Sequence, residues 1–267
     1  MGTIILVRHG ENDWSKKNKL AGRIPGVHLN EAGHQQAHAV AQRLAALPIK
    51  AVYSSPVTRC AETAAYIADT HRLTTIFVDE MAEVEYGEWE GKKIKKLAKN
   101  PLWRAVQFFP SRMRFPQGEA LREVQFRGIQ AIEAISARHE KEIVVVVSHA
   151  DMIRLLLAHY LGVHIDLFQR LAISPASASI LQLSPDGMVR VLRVNDDGPL
   201  HMPSGPEKGK KDKKTAKQRK QSDQESMPLR GKDDKVSHQA TILPAADGNK
   251  PARAPHPVSS AALDEEE

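Results

Sequence analysis

The run Ile143-Val-Val-Val-Val147 constrains the fold more than any other segment of the chain. Five consecutive β-branched residues favour a strand, and the lack of alternation with polar residues indicates that both faces of the strand are buried. Strands buried on both faces occur in parallel sheets that helices cover on each side. A helical pattern over Asp151–Leu161 follows after only three residues. This segment therefore predicts an α/β protein.

Strands and helices alternate along the first 198 residues. Asn30 precedes a helical pattern that runs to Leu47 and stops before Pro48, so we predict that Asn30 is the N-cap. Pro56 is predicted near the first position of a helix that reaches about Ala68. The remaining predicted elements are strands at Thr3–Val7, Ala51–Ser54 and Thr75–Val78, a helix that follows Glu119 and ends near His139, and a hairpin of Ala178–Leu183 with Met188–Val194. This alternation predicts a three-layer sandwich with a mostly parallel central sheet.

The composition changes near Pro199. Residues 199–267 contain no Phe, Trp or Tyr, and half of the chain's 16 prolines fall there. Such a segment buries too little apolar surface to offset its ordering entropy, so we predict a folded domain at 1–198 and a disordered Lys/Pro-rich tail at 199–267. Residues 208–220 carry eight Lys or Arg and one Asp, which accounts for more than the whole net charge of +6. We favour a solvated spacer for this run over contact with nucleic acid or an anionic surface.

Three features bear on the class and location of the protein. No stretch approaches the ~20 apolar residues of a membrane span, and no charged leader with an apolar region opens the chain. The single cysteine, Cys60, excludes a disulfide scaffold and a cysteine-rich zinc site. In its predicted helix Cys60 is expected to act as a small buried hydrophobic residue. We therefore predict a cytoplasmic protein with no membrane partner.

Polar residues follow three of the predicted strands, where open α/β sheets bind their ligands. The first strand leads into Arg8-His9, the second into Ser54-Ser55 with Arg59 one turn later, and the central strand into Ser148-His149. Any one of these residues alone is more often structural, but the joint pattern favours a common pocket. Two guanidiniums can hold a phosphoryl group, a neutral imidazole can attack it, and a protonated imidazole can stabilise its charge.

The same residues resemble the motifs of the histidine phosphatase superfamily, also called the phosphoglycerate mutase-like family. Leu6-Val-Arg-His-Gly-Glu11 resembles its first signature, Ser54 to Ala64 resembles its second block, and Val147-Ser-His149 with Ile153-Arg154 resembles its third. The resemblance spans about residues 3 to 195. It implies that His9 is the nucleophile, that Arg8, Arg59 and His149 complete the phosphate cradle, and that no metal or cofactor is needed.

The proton donor is expected in the segment Met81–Gly91, which contains four glutamates. The segment resembles the pattern of the phosphatase branch of the family, and the first glutamate of that pattern corresponds to Glu83. A carboxyl group beside an apolar wall has a raised pKa and can protonate a leaving alcohol. We expect the other three glutamates, Glu85, Glu88 and Glu90, to be surface or supporting charges.

Further candidates come from departures from the family pattern and from loops. Asn12 and Ser15 stand where the family usually has threonine and asparagine, and both can still donate a hydrogen bond to phosphate. Ala150 and Asp151 replace two glycines; we expect Asp151 to cap the following helix rather than to adjust His149. The remaining candidate substrate contacts are Gly22, Arg23 and Ala150.

The resemblance implies that the basic stretch Lys92–Phe115 is a lid over the pocket. Within it Arg112 and Arg114 are expected either to bind a second anionic group of the substrate or to be solvated. The sequence therefore predicts a metal-independent phosphatase that acts on a small phosphate ester through phosphohistidine. A cofactor-dependent phosphoglycerate mutase is the alternative, and a non-catalytic binding module is less favoured because His9 and Arg59 are both present.

Overall fold

A computed structural model describes residues 1–198 of the chain. Its centre is a six-stranded sheet in the order β3-β2-β4-β1-β5-β6. The strands are β1 (Gly2–Arg8), β2 (Ile49–Ser54), β3 (Thr75–Phe77), β4 (Ile143–Ser148), β5 (Ala178–Leu183) and β6 (Val189–Asp196). The predicted tail at 199–267 lies outside the described residues, and so does its basic run, which was predicted to be a solvated spacer.

The first four strands pair in parallel, and the two last strands are antiparallel. Strand β4 lies between β1 and β2, and β3 extends β2 at one edge. Strand β5 runs antiparallel to β1 and forms a hairpin with β6 at the other edge. The predicted mostly parallel α/β sheet and the predicted hairpin are both confirmed.

Helices cover both faces of this sheet. The α-helices are α1 (Asp13–Lys16), α2 (Glu31–Leu44), α3 (Thr58–His71), α4 (Ile94–Leu97), α5 (Trp103–Phe108), α6 (Leu121–Arg138) and α7 (Ala150–Tyr160). Short 3-10 turns lie at Asp79–Met81, Gly87–Trp89, Pro110–Arg112 and Ile165–Arg170.

The side chains of β4 explain the three layers. Val144 and Val146 pack into one apolar core with α6 and α7, whereas Val145 and Val147 pack into a second core with α2 and α3. All four valines are completely buried. Because successive side chains of a strand point to opposite faces, an unbroken apolar run fits only a strand that is covered on both sides.

The predicted element ends hold within a few residues, with one informative exception. Asn30 caps α2, since its side-chain oxygen accepts a hydrogen bond from Gly33 N at 2.8 Å. Pro56 is not in the first turn of α3, because Val57 is the N-cap and the helix begins at Thr58. The sheet pairing continues past β2 through a bond from Ser55 N to Val147 O, so the chain needs two more extended residues before it can turn.

Candidate active site

The carboxyl ends of three adjacent strands bring the predicted site residues together. Arg8, the last residue of β1, is in register with Ser148, the last residue of β4. His149 then caps α7, and Arg59 occupies the first turn of α3 after β2. These four side chains, Arg8, His9, Arg59 and His149, form what we call the phosphate cradle. The N-termini of α3 and α7 open beside it, which favours an anion there.

His9 has one unprotonated ring nitrogen, and its hydrogen bonds show which one. Its Nδ1 lies 2.7 Å from Gly10 O, so Nδ1 carries the proton and donates. Its Nε2 accepts a hydrogen bond of 3.0 Å from Arg59 Nε. Burial, followed by repulsion from Arg59 and Arg8, holds the pKa of His9 well below its usual value. His9 is therefore a neutral imidazole with a lone pair on Nε2.

Gly10 is required by a close approach of two backbone segments. A Cβ at position 10 would lie 2.4 Å from Gly33 O, at the start of α2. The backbone nitrogen of Gly10 also donates to Thr63 Oγ1 at 3.1 Å, and that hydroxyl donates to Arg59 O at 2.8 Å. The turn that holds His9 is thus tied to both α2 and α3.

Arg59 links His9 and His149 within the cradle and is almost completely buried. Besides its bond to His9, its Nη2 donates to Gly22 O at 2.9 Å and to His149 Nδ1 at 3.0 Å. Its Nη1 is buried and has no hydrogen-bond partner among the described residues, and the same is true of Arg8 Nε. Arg8 is held by one bond of 2.6 Å from its Nη1 to Ile173 O. Burial lowers the pKa of Arg8.

Buried donors without partners are costly, because they have lost water and gained nothing in return. The two unpartnered donors belong to the two arginines of the cradle, so one anion bound in the cradle would be able to satisfy both. A tetrahedral phosphoryl group has oxygens enough for both, and charge-assisted bonds to it are strong. The cradle therefore has the chemistry of a phosphate site.

His149 is neutral in this state of the site. It accepts from Arg59 at Nδ1, and its Nε2–H donates to Ser55 Oγ at 2.8 Å. Burial is the main reason that the pKa of His149 lies well below its usual value, and the charge of Arg59 adds to it. The sulfur of Cys60 packs 3.3 Å from the same Nε2 and is buried, as predicted for this residue. The expected protonated form of His149 thus requires a bound anion.

Glu83 lies in the loop between β3 and α4 and faces the same cavity. Burial is the larger of two effects that raise its pKa to about 7, and the negative charge of Asp151 is the second. Its Oε1 accepts one hydrogen bond of 3.1 Å from Val84 N. A carboxyl group with a pKa near neutrality can donate a proton and later accept one, which is what general acid–base catalysis requires.

The sequence did not indicate the two arginines and the glutamate that hold the backbone of Glu83 in place. The backbone oxygen of Glu83 accepts from Arg23 Nε at 2.8 Å and from Arg127 Nη2 at 3.1 Å. Glu119 lies between these two guanidiniums and accepts from both. Arg127 is one of several charged residues on the amphipathic helix α6, so no signal in the sequence separates it from the others.

The other predicted contacts divide into two sets. The cavity is lined by Asn12, Ser15, Gly22 and Ala150, and Asn12 with Ser15 forms a capping box on α1. Arg23 lies outside the cavity wall, because its guanidinium is committed to Glu83 O and Glu119.

Asp151 and the predicted lid need corrections. Asp151 is not the cap of α7; it accepts from Tyr86 Oη at 2.7 Å and from Arg154 Nη1 at 2.8 Å. Arg114, one of the two predicted lid arginines, pairs with Glu123 on the exposed surface. Neither Arg114 nor Arg112 lines the cavity.

The cavity has a volume of about 400 Å³. Arg8, His9, Arg59 and Glu83 line it, together with Tyr86, Asp151 and Arg154. Within residues 1–198, no three or more His, Cys, Asp or Glu side chains are arranged to hold a metal ion. None of the helices in the same range has the length and apolarity that crossing a bilayer requires.

The sequence matches the family model of the histidine phosphatase superfamily (branch 1) over residues 4–197. The chain therefore belongs to this superfamily, and it is a phosphatase enzyme. The resemblance stated from its three motifs is confirmed. The α/β fold is also confirmed, because solved structures of this superfamily share it.

Individual relatives show how similar the chain is to known members. Phosphoserine phosphatase 1 of Hydrogenobacter thermophilus is 32% identical over 197 residues, which cover 73% of this chain and 92% of that protein. A probable phosphoglycerate mutase of Erwinia tasmaniensis is 32% identical over 178 residues, or 66% of this chain and 82% of that protein. The solved structure of Bacillus stearothermophilus YhfR matches with a TM-score of 0.69 and 28% identity, covering 73% of this chain and 98% of that chain.

Proposed function

We propose that this phosphatase hydrolyses the phosphomonoester of a small metabolite through a phosphohistidine at His9, without a metal ion or cofactor. One observation carries the proposal: the unpartnered donors Arg8 Nε and Arg59 Nη1 belong to the same cradle as the unprotonated Nε2 of His9, which accepts a hydrogen bond from Arg59 Nε. A phosphoryl dianion between them would satisfy both donors and present phosphorus to the nucleophile.

The first step forms a bond from His9 Nε2 to phosphorus and breaks the bond from phosphorus to the ester oxygen. The alcohol leaves with the proton of Glu83, because an alkoxide is a poor leaving group. Arg8 and Arg59 stabilise the charge on the three phosphoryl oxygens. The dianion also opposes the repulsion that lowers the pKa of His149, so His149 is expected to take up a proton when substrate binds.

The second step returns the enzyme to its starting state. Glu83, now a carboxylate, accepts a proton from a water molecule as the water oxygen bonds to phosphorus. The bond from phosphorus to His9 Nε2 breaks, and inorganic phosphate leaves. Since Glu83 donates in one step and accepts in the other, its pKa of about 7 suits both roles near neutral pH.

A phosphoglycerate mutase is the second candidate, because a relative with 32% identity is named as a probable one. A mutase would return the phosphoryl group from His9 to another hydroxyl instead of to water. The residues Glu83-Val-Glu-Tyr86, followed by Trp89-Glu-Gly91, fit the phosphatase branch better. Incubation with 3-phosphoglycerate separates the two, since a mutase yields 2-phosphoglycerate and a hydrolase yields inorganic phosphate.

The proposal is tested by trapping the intermediate. Brief incubation with a ³²P-labelled ester, followed by denaturation in alkali, is expected to leave acid-labile label on His9, and turnover is expected to persist in EDTA. His9→Ala is expected to abolish both label and turnover, whereas His38→Ala, on the exposed side of α2, is expected to change neither. Substantial hydrolysis by His9→Ala would contradict the mechanism. A panel of esters beginning with phosphoserine would define the substrate, and the cytoplasmic location remains a prediction.

A further inference from the structure

Two lysine-bearing segments meet at the mouth of the cavity. Leu20 N donates to Lys92 O at 3.0 Å, and Ile94 N donates to Asn18 O at 2.9 Å. Between these bonds, Lys19 and Lys93 form an antiparallel bridge. Asn18, Lys19 and Ile94 line the cavity, so the joined segments form one side of its mouth.

The two segments carry eight lysines, which we call the lysine rim: Lys16, Lys17, Lys19, Lys92, Lys93, Lys95, Lys96 and Lys99. All except Lys19 are exposed. Within residues 1–198, only Lys17 among them has a carboxylate within 4.0 Å, which is Asp13 at 3.5 Å. The nearby Glu90 is turned away from them and accepts from Arg23 N at 3.0 Å.

A single exposed lysine contributes little, but a cluster on one side of a cleft produces a positive potential over the whole mouth. Packing like charges together lowers the stability of the folded state. Such clusters are useful where they attract an anion, and they raise association rates by about 10–10³-fold at low ionic strength. The rim is therefore expected to act on something negative that enters this cavity.

The scissile phosphoryl group does not need the rim, because Arg8 and Arg59 hold it in the cradle. A negative charge at the other end of the substrate would meet the rim while the scissile group is held by Arg8 and Arg59. Lys19 is the link between the two ends: it lines the cavity, and its ammonium lies 4.0 Å from the centre of the Trp14 ring. A cation held against an aromatic ring is less free than an ordinary surface lysine.

We propose that the lysine rim binds a second phosphate on the leaving group, so that this enzyme prefers bisphosphorylated small molecules over the matching monophosphates. The proposal rests on the function proposed above. A small molecule is favoured over a polymer, because the rim ends at a cavity of about 400 Å³ and one of its lysines is inside the wall.

The test compares two esters of one diol, 1,3-propanediol monophosphate and 1,3-propanediol bisphosphate. For the wild-type protein, kcat/KM is expected to be about tenfold higher for the bisphosphate at low ionic strength, and this preference should shrink when salt screens the rim. The double variant Lys92→Gln/Lys93→Gln removes two exposed rim charges that do not line the cavity, and it is expected to lose the preference and to keep its kcat on the monophosphate. The control Lys50→Gln/Lys141→Gln removes the same charge from exposed sites on β2 and before β4, and it should keep the preference.

Four other outcomes would each contradict a different part of the proposal. If the wild-type kcat/KM for the bisphosphate exceeds that for the monophosphate only by the factor of about two that its two equivalent phosphates provide, the rim does not select the substrate. If the rim variant retains the preference, other residues are responsible. If a short oligonucleotide inhibits the wild type but not the rim variant while the two esters react alike, the rim serves a polymer and the proposal is wrong. If neither ester is hydrolysed, the proposed function itself fails.

Discussion

The phosphate cradle and the segment that carries Glu83 lie in the same cavity but are built differently. The cradle residues stand at strand ends and in the first turns of long helices, and Arg59 donates hydrogen bonds to His9 and His149 as well as to Gly22 O. Glu83 lies in a loop between β3 and α4, held by its backbone oxygen rather than by its carboxyl group. The fixed charges are at a strand end and in a helix, and the group that must change protonation is in the loop.

The difference corresponds to the chemistry that each region performs. Binding a phosphoryl group needs donors at fixed positions, and positions are fixed best on strands and helices. A proton donor needs a suitable pKa, and burial with one nearby negative charge provides it for Glu83. The cradle is therefore expected to be sensitive to geometry, and Glu83 to charge and to the leaving group.

The sharpest way to separate the two regions is Glu83→Gln. This variant keeps the shape but cannot donate a proton, and general acid catalysis contributes about 10²–10⁴-fold. We expect a loss of that size on an alkyl phosphate and a smaller loss on an activated aryl phosphate, whose leaving group departs without a proton. The aryl ester should still lose some activity, because hydrolysis of the phosphohistidine lacks its base. The ratio of the two rates is the measurement.

Glu85→Gln is the matched control, since Glu85 lies two residues away with half of its side chain exposed. It should show no dependence on the leaving group. If Glu85→Gln shows the dependence and Glu83→Gln does not, the proton donor has been assigned to the wrong glutamate.

The second prediction concerns the geometry of the cradle. Arg59→Lys keeps the positive charge but replaces the two separate nitrogens that donate to His9 and to Gly22 O with His149 by a single nitrogen. Removing one preorganised donor typically costs about 10²–10³-fold in kcat. We expect a loss in this range for alkyl and aryl phosphates alike, in contrast to Glu83→Gln. Equal activity of Arg59→Lys and wild type would show that charge alone suffices in the cradle.

The same contrast explains what the sequence could predict. The cradle lies next to strand ends in continuous motifs, so Arg8-His9, Arg59 and His149 could be placed at one edge from the pattern alone. The apolar run of β4 likewise predicted a sheet covered on both faces. Glu83 was selected by resemblance, but the residues that hold its backbone could not be predicted. Arg127, in the middle of α6, donates to Glu83 O, and Glu119, in the loop before α6, accepts from Arg127. Nothing in the local pattern indicates that these residues meet the backbone of residue 83.

Asp151 shows a second limit of sequence reasoning. Its place at the start of α7 suggested a cap, because Asp is common there. Its carboxylate instead accepts from the side chains of Tyr86 and Arg154, and not from the backbone N–H groups of the first turn of α7. The distant Tyr86 and Arg154, which lies one turn along the same helix, override the local capping preference because both offer charge-assisted bonds.

The last prediction uses Asp151 to test how the pKa of Glu83 is set. The first step needs protonated Glu83, so the rate falls as pH rises through the pKa of Glu83, which is about 7. Asp151 raises that pKa by its negative charge, so Asp151→Asn should lower it and move the alkaline limb of the kcat/KM profile to lower pH. Since one pKa unit is tenfold, the loss at pH 8 is expected to be less than about tenfold, with little change at acidic pH.

Tyr86→Phe is the control for this shift. It removes the hydrogen bond to Asp151 and leaves the carboxylate charged, so its alkaline limb should stay near the wild-type position. If both variants shift alike, the hydrogen bond and not the charge of Asp151 is responsible. If Asp151→Asn leaves the limb in place, burial alone sets the pKa of Glu83, and the loop needs no second carboxylate to make its proton donor.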